Sequence, residues 1–207
     1  PDMHDPSGDL RRLYEALERE WRLTGLASDF NILGELQAAL RKGEWKVTVA
    51  VHDAAQVIAL WPGFHDKAYG MAVDVGSTTV AAHLCDLETG ELVAAAGTMN
   101  PQIRFGEDLM SRVSYAMMNP GGDREMTRAV REAIDGLAGS LAEQAGIEAH
   151  DILEAVFVCN PVMHHLLLGI DPVELGQAPF ALATSAAMNL DARDLGLSRV
   201  NVAARVY

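Results

Sequence analysis

Cysteine is nearly missing from this sequence: Cys85 and Cys159 are the only ones among 207 residues. Two thiols cannot supply the four ligands of an iron–sulfur cluster or a structural zinc. Each sits in an apolar stretch, so both are expected to be buried free thiols. Long hydrophobic runs are absent too, none approaching the roughly 18 apolar residues of a membrane span. Residues 1–12 are polar and charged, unlike a signal peptide. Basic residues are scarce, with 16 Lys+Arg against 29 Asp+Glu and a net charge of −13. Such a surface repels a phosphate backbone unless its basic side chains segregate into a patch. The pairs Arg11-Arg12 and Arg41-Lys42 instead stand apart, with acids nearby. No nucleic-acid or membrane partner is expected, and the protein is expected to be cytoplasmic. A chain that opens on Pro1 and stops in the apolar run "VNVAARVY" is expected to be an interior piece of a longer polypeptide.

What remains suffices for a folded core. Hydrophobic residues make up 49% and mean hydropathy is +0.07, values unlike those of disordered chains. The length of 207 residues suits one medium domain, alone or with a small companion. Over residues 9–23, Leu10, Leu13, Tyr14, Leu17 and Trp21 recur at helical spacing, with Asp9 as the expected N-cap. A second helix is predicted over 31–42, with Ile32, Leu33, Leu36 and Leu40 inward and Gly43 as its stop. The alternation of Trp45, Val47, Val49 and Val51, followed by "QVIALW", predicts a hairpin that Pro62-Gly63 ends. Residues 1–66 therefore read as a small α+β domain without recognisable chemistry.

From Tyr69 the pattern changes. Strands are predicted over 69–74, 79–86 and 91–99, joined by a short turn and by "DLETGE". A helix follows in "GEDLMSRVSYAMM", with Glu107 and Asp108 in its first turn, where the helix dipole favours them. After "NPGGD", Asp123 is the expected cap of a longer helix carrying Met126, Val130, Ile134, Leu137 and Leu141. Met110, Met117 and Met118 are expected in the core with Met126. "EAVFVCN" is a fourth strand, and Asn160-Pro161 opens another helix with Asn at the N-cap and Pro at N1. The fold class is thus α/β: three antiparallel strands, then a helical crossover to a parallel fourth, the layout of a ribonuclease-H-like lobe over 67–207. Fold alone does not give function.

The chemistry concentrates where the first of these strands ends. In "YGMAVDVGSTTVAAHL" an apolar strand stops on Asp74 and turns through Gly76, Ser77, Thr78 and Thr79. Magnesium is usually held by one or two carboxylates together with phosphate oxygens and water. Asp74 is the candidate metal ligand and catalytic carboxylate. Gly76, Ser77, Thr78 and Thr79 offer N–H groups and hydroxyls to phosphates, and Gly76 has no Cβ to keep them away. The competing reading is an ordinary β-turn closed by an Asx-type hydrogen bond. The loop has no lysine, so it is not a P-loop. Asn160 is expected at the same rim as Asp74, as a helix cap that can also orient water or hydrated magnesium. Arg104, in "NPQIRFGED", either reaches the phosphates or is a surface arginine. Adjacent helical residues point about 100° apart, so His164 and His165 cannot share a metal and read as structural. His83 and Cys85 share a strand face but supply only two ligands.

With those stretches and "CNPVMHHLLLGIDPVELGQAPF" in place, the sequence resembles the ATP-dependent reductive activators of corrinoid proteins. These belong to the actin, Hsp70 and sugar-kinase superfamily. The similarity includes "GDLRRLYEAL" and "LRKGEWKVTVAV", hence nearly the whole chain. It implies that residues 1–66 are the family's middle domain and 67–207 the first lobe of an actin-like ATPase domain. It makes Asp74 to Thr79 the first phosphate motif, with Ser77 where threonine is more usual, and Asn160-Pro161 the start of the first connecting segment. The implied function is to spend ATP, with Mg2+, on returning a corrinoid cofactor to the Co(I) state for methyl transfer. The implied partner is a corrinoid protein; apolar surface left open where the second lobe would pack makes a homodimer a further expectation. The implied [2Fe–2S] cluster and the second ATPase lobe lie in domains this chain lacks. Two alternatives stand beside it: the activator ATPase of a 2-hydroxyacyl-CoA dehydratase, and a non-catalytic docking or dimerisation module.

Overall fold

The structure, a computed structural model, describes residues 6–201 and 203–207. Residues 1–5 of the polar opening, and Val202 of the closing apolar run, lie outside them. The chain divides into two compact units, Pro1–Asp66 and Lys67–Tyr207.

In the first unit, helices α1 (Asp9–Trp21) and α2 (Phe30–Lys42) pack on a sheet of β1 (Ala27–Ser28), β3 (Gln56–Pro62) and β2 (Val47–His52), in the order β1-β3-β2. Leu13, Leu17, Ile32, Leu36 and Leu40 meet Val57 and Leu60 in its core. Four sequence expectations are corrected here. Gly8, not Asp9, caps α1; Asp9 is buried and binds the Arg41 guanidinium at 2.6 Å, tying α1 to α2. Trp21 is 72% exposed, because it is the last residue of α1, past the buried positions, with Arg22 already left-handed at φ 59. Leu33 is likewise exposed. Trp45 precedes β2 at φ 68, outside the alternation, with Arg41 stacked 4.6 Å over its ring.

The second unit is built on six strands: β4 (Tyr69–Val75), β5 (Thr79–Asp86), β6 (Leu92–Met99), β7 (Ile152–Cys159), β8 (Leu190–Asp191) and β9 (Arg205–Val206), in the order β6-β5-β4-β7-β9-β8. The first three are antiparallel and β7 runs parallel to β4. This is the ribonuclease-H-like layout predicted, extended by β9, parallel to β7, and β8. The crossover consists of α3 (Leu109–Met118) and α4 (Gly122–Ala145), and α5 (Pro161–Leu168) follows β7.

Register decides which side chains meet, because partners on neighbouring strands share a face. Met71, Val73 and Val75 of β4 point to the same face as Val80, Ala82 and Leu84, and all are buried. The predicted stripe of α4 (Met126, Val130, Ile134, Leu137 and Leu141) covers them. Each such side chain, fully buried, contributes about 1.5–3 kcal/mol. The opposite face is open: Ala72, Asp74, His83, Val156 and Val158 are exposed. The cap of α4 is Gly121 at φ 89, and Asp123 instead lies in the first turn. Met110, Met117 and Met118 are exposed, against expectation, since the buried face of α3 is supplied by Arg112 and Val113. The two free thiols are half-buried rather than buried. Cys85 lies beside Gly70 and Cys159 beside Val75, at opposite ends of β4. Burial, and to a lesser degree the Asp74 charge, push the Cys159 thiol up.

Candidate functional site

Asp74 and Asn160 leave the sheet at one rim. Val75 is in register with Cys159, so β4 and β7 end side by side, with Asp74 one residue before and Asn160 one residue after that pair. Asn160 caps α5, its Oδ1 accepting from the Met163 N–H at 3.0 Å with Pro161 at the first helical position. Its amide nitrogen has no partner among the described residues. α5 is fixed from α4: Thr127 Oγ1 donates to the Leu166 carbonyl at 2.7 Å and Arg131 Nε to that of Leu167 at 2.8 Å. The second bond satisfies a carbonyl that a helix C-terminus leaves orphaned, and the first adds to the Gly169 N–H already on the Leu166 carbonyl at 3.3 Å.

The Asp74 carboxylate is exposed and, among the described residues, accepts no hydrogen bond and joins no ion pair. Asp86 shows what a structural aspartate does in this fold: it accepts from the N–H groups of Glu88 and Thr89 at 2.8 and 3.1 Å and from Lys67 Nζ at 2.9 Å. Asp74 closes no Asx turn. On its face of the sheet stand Ala81 and Val158, small and apolar neighbours that leave the carboxylate uncovered.

The turn after Asp74 is held from beneath through its carbonyls. Asn100 Nδ2 donates to the Gly76 carbonyl at 2.7 Å, the Asn100 N–H to that of Thr78 at 2.7 Å, and Arg112 Nη2 to that of Ser77. With these carbonyls engaged, the N–H groups of Gly76, Ser77 and Thr78 donate to no group among the described residues. They are the free donors that an anion site needs. Gly76 is demanded by the turn itself, because a Cβ there would lie 2.7 Å from the Thr79 carbonyl oxygen. The hydroxyls of Thr78 and Thr79 are on exposed residues.

Three residues of this assembly, Asn100, Gln102 and Arg112, are invisible to motif reasoning, and all are fully buried. Asn100 caps the 3-10 turn Pro101–Phe105 just as Asn160 caps α5, each followed by proline. That repeated Asn-Pro pair was the available signal. Arg104, read either as a phosphate contact or as a surface arginine, is exposed, makes no hydrogen bond to the turn, and stacks 4.6 Å over the Phe105 ring. His165 is buried, with Nδ1 2.8 Å from the Pro161 carbonyl and Nε2 accepting from the Ala183 N–H at 3.0 Å. His164 is turned edge-on to it at 6.0 Å, and burial pushes its pKa down. Neither pattern suits a shared metal.

As a cradle, the rim fits a phosphate chain with magnesium: one unpaired carboxylate, three free N–H groups and two hydroxyls. Among the described residues no cluster of His, Cys, Asp or Glu could hold a metal unaided. A magnesium ion there would complete its shell with phosphate oxygens and water. No helix among the described residues is long and apolar enough to cross a membrane.

Comparison with known proteins agrees with the division into units. Residues 1–67 match the family described as RACo linker region and residues 69–207 that described as RACo middle region. The smaller unit is thus the linker, and the name middle region belongs to the larger one. The corrinoid activation enzyme RamQ of Eubacterium limosum is 34% identical over 129 residues, which are 62% of this chain and 22% of RamQ. A solved reductive activator for corrinoid, iron–sulfur protein superposes with a TM-score of 0.80 at 30% identity, over 100% of this chain and 33% of that one. The chain therefore spans a third or less of these relatives, and it belongs to the RACo family, of which it carries the linker and middle regions.

Proposed function

We propose that the second unit is a phosphate-binding lobe of an ATP-dependent activator that restores the Co(I) state of a corrinoid protein for methyl transfer. The observation that carries this reading is the pairing of an unengaged Asp74 carboxylate with a turn whose carbonyls are tied back and whose N–H groups are free. Kinship with RamQ and with the solved reductive activator supports the corrinoid protein as partner.

In this reading the N–H groups of Gly76, Ser77 and Thr78 bind phosphate oxygens, and the Thr78 and Thr79 hydroxyls add donors at the rim. Asp74 is the residue that would anchor hydrated magnesium, which would supply charge neutralisation at the phosphates. Asn160, fixed through its Oδ1, uses its amide nitrogen to orient water at the same rim. Arg104 is left outside the phosphate contacts by its stacking on Phe105. The electron would travel on a [2Fe–2S] cluster held outside this chain, since Cys85 and Cys159 lie at opposite ends of β4.

Asp74→Asn tests the assignment. In the intact protein, magnesium-dependent ATP hydrolysis is expected to fall at least about tenfold. Stability should not fall, because the carboxylate has no partner to lose. Full turnover by a well-folded Asp74→Asn protein would reduce the turn to a structural feature.

A further inference from the structure

Arg112 is a buried charge without a counter-charge. The residue is 0% exposed, and all its hydrogen-bond partners are neutral. Nε donates to the Gly106 carbonyl at 3.0 Å, Nη1 to Gln102 Oε1 and Met163 Sδ at 3.3 Å each, and Nη2 to the Ser77 carbonyl. Among the described residues no carboxylate forms an ion pair with it. Asp108 lends it a favourable field from a distance, but that carboxylate is exposed and already accepts from the Ser111 N–H at 2.7 Å. Burying an unpaired guanidinium is expensive, and an apolar side chain of similar size would serve packing better. Gln102, which helps hold it, is itself anchored, its Nε2 donating to the Met126 carbonyl at 3.0 Å.

The position of the charge accounts for its retention. Arg112 meets the turn from its carbonyl side, and its Nη2 holds the middle carbonyl of the three. Through Met163 it also touches the first turn of α5, where the Met163 N–H is bound by Asn160. One guanidinium thus reaches both sides of the candidate site. We infer that Arg112 is the positioning residue of the phosphate turn: it locks the Ser77 carbonyl inward, and its positive charge is balanced only when an oxyanion occupies the N–H groups in front. The inference rests on the nucleotide reading and adds to it a source of selectivity. The turn recognises the charge of a di- or triphosphate rather than the nucleoside. Binding and stability are then coupled, since a ligand that binds only the folded state stabilises it.

The test uses the intact protein, wild type and two variants, titrated in magnesium with pyrophosphate, ATP and adenosine and followed by calorimetry and melting temperature. Wild type is expected to be stabilised by pyrophosphate and ATP and not through the turn by adenosine. Arg112→Met, which removes the charge and also strands the Ser77 and Gly106 carbonyls, should lose at least tenfold in the pyrophosphate affinity of the folded fraction, beyond any fall in ligand-free melting temperature. Arg112→Lys should recover part of the affinity, because the charge returns without the planar fork. A merely structural arginine would lower the melting temperature alone, with unchanged affinity of the folded fraction. Should Arg112→Met not fold, Arg112→Lys decides: pyrophosphate binding equal to wild type overturns the inference. If wild type ignores both anions, the nucleotide reading itself falls. If wild type binds and the variants bind equally well, only the role of Arg112 falls.

Discussion

Asn100 grips Gly76 across the turn: its side-chain amide lies 2.7 Å from the Gly76 carbonyl oxygen while its own N–H reaches the Thr78 carbonyl at 2.7 Å. The same side chain accepts from the Gln102 N–H at 2.9 Å. A fully buried asparagine therefore links the turn after β4 to the 3-10 turn after β6, and both ends of its amide are used.

That double use makes a pH-dependent prediction. Asn100→Ala strands the half-buried Gly76 carbonyl and the buried Gln102 N–H, the latter at about 1–3 kcal/mol. Asn100→Asp keeps the acceptor for Gln102 but sets a carboxylate against the Gly76 carbonyl. Its folded-state pKa would be raised, so its destabilisation should be largest at neutral pH. It should shrink on acidification, as the protonated acid regains a donor. Urea unfolding at a series of pH values measures this. An Asn100→Asp protein as stable as wild type at neutral pH would show that the Gly76 bond carries no weight.

Gly76 makes the second test. Alanine there would place Cβ 2.7 Å from the Thr79 carbonyl oxygen, closer than real contacts allow, and the obstacle is backbone. Relief requires the turn to open, at a cost of about 1–3 kcal/mol. Anion affinity should fall with it. Gly97→Ala on β6 is the control, since its Cβ would meet only the Val80 carbonyl oxygen at 3.5 Å. Melting curves should separate the pair by several degrees, and equal melting temperatures would mean the turn yields freely.

How far the sequence could be read follows from the kind of signal each feature leaves. The stripe of α4 and the alternation of β4 and β5 are periodic, and burial on one face enforces the period, so both were legible. The rim shared by Asp74 and Asn160 followed from the parallel pairing of β4 with β7. β8 and β9, at two residues each, are too short to carry a period. The methionines of α3 were misplaced because its inward position is taken by Arg112, a residue that composition assigns to the surface. The supports of the site were missed for the same reason: their roles depend on contacts between distant segments, such as Arg112 with Ser77 and Met163.

Asp86 supplies the counterpart to Asp74 and the last prediction. Its carboxylate is held below the usual aspartate range, first by the hydrogen bond from Lys67 and then by that from the Thr89 N–H. A folded-state pKa that is depressed contributes stability above the unfolded value, and the contribution is lost as pH falls through the folded one. Asp86→Asn should therefore be less stable than wild type at neutral pH. The gap should close as pH drops below the ordinary value of 3.8. Because Lys67 is partly exposed, added salt should narrow the gap as well. Asp86 also fixes the turn between β5 and β6, at the end of β5 away from the Gly76–Thr79 turn, so ATP hydrolysis per folded molecule should be untouched. Asp74→Asn and Asp86→Asn thus separate the two uses of an aspartate in one sheet. The first is expected to cost turnover without stability, and the second stability without turnover. Urea midpoints and turnover measured on both variants decide it. A loss of turnover in well-folded Asp86→Asn protein, or a gap in stability that ignores pH, would contradict the assignment.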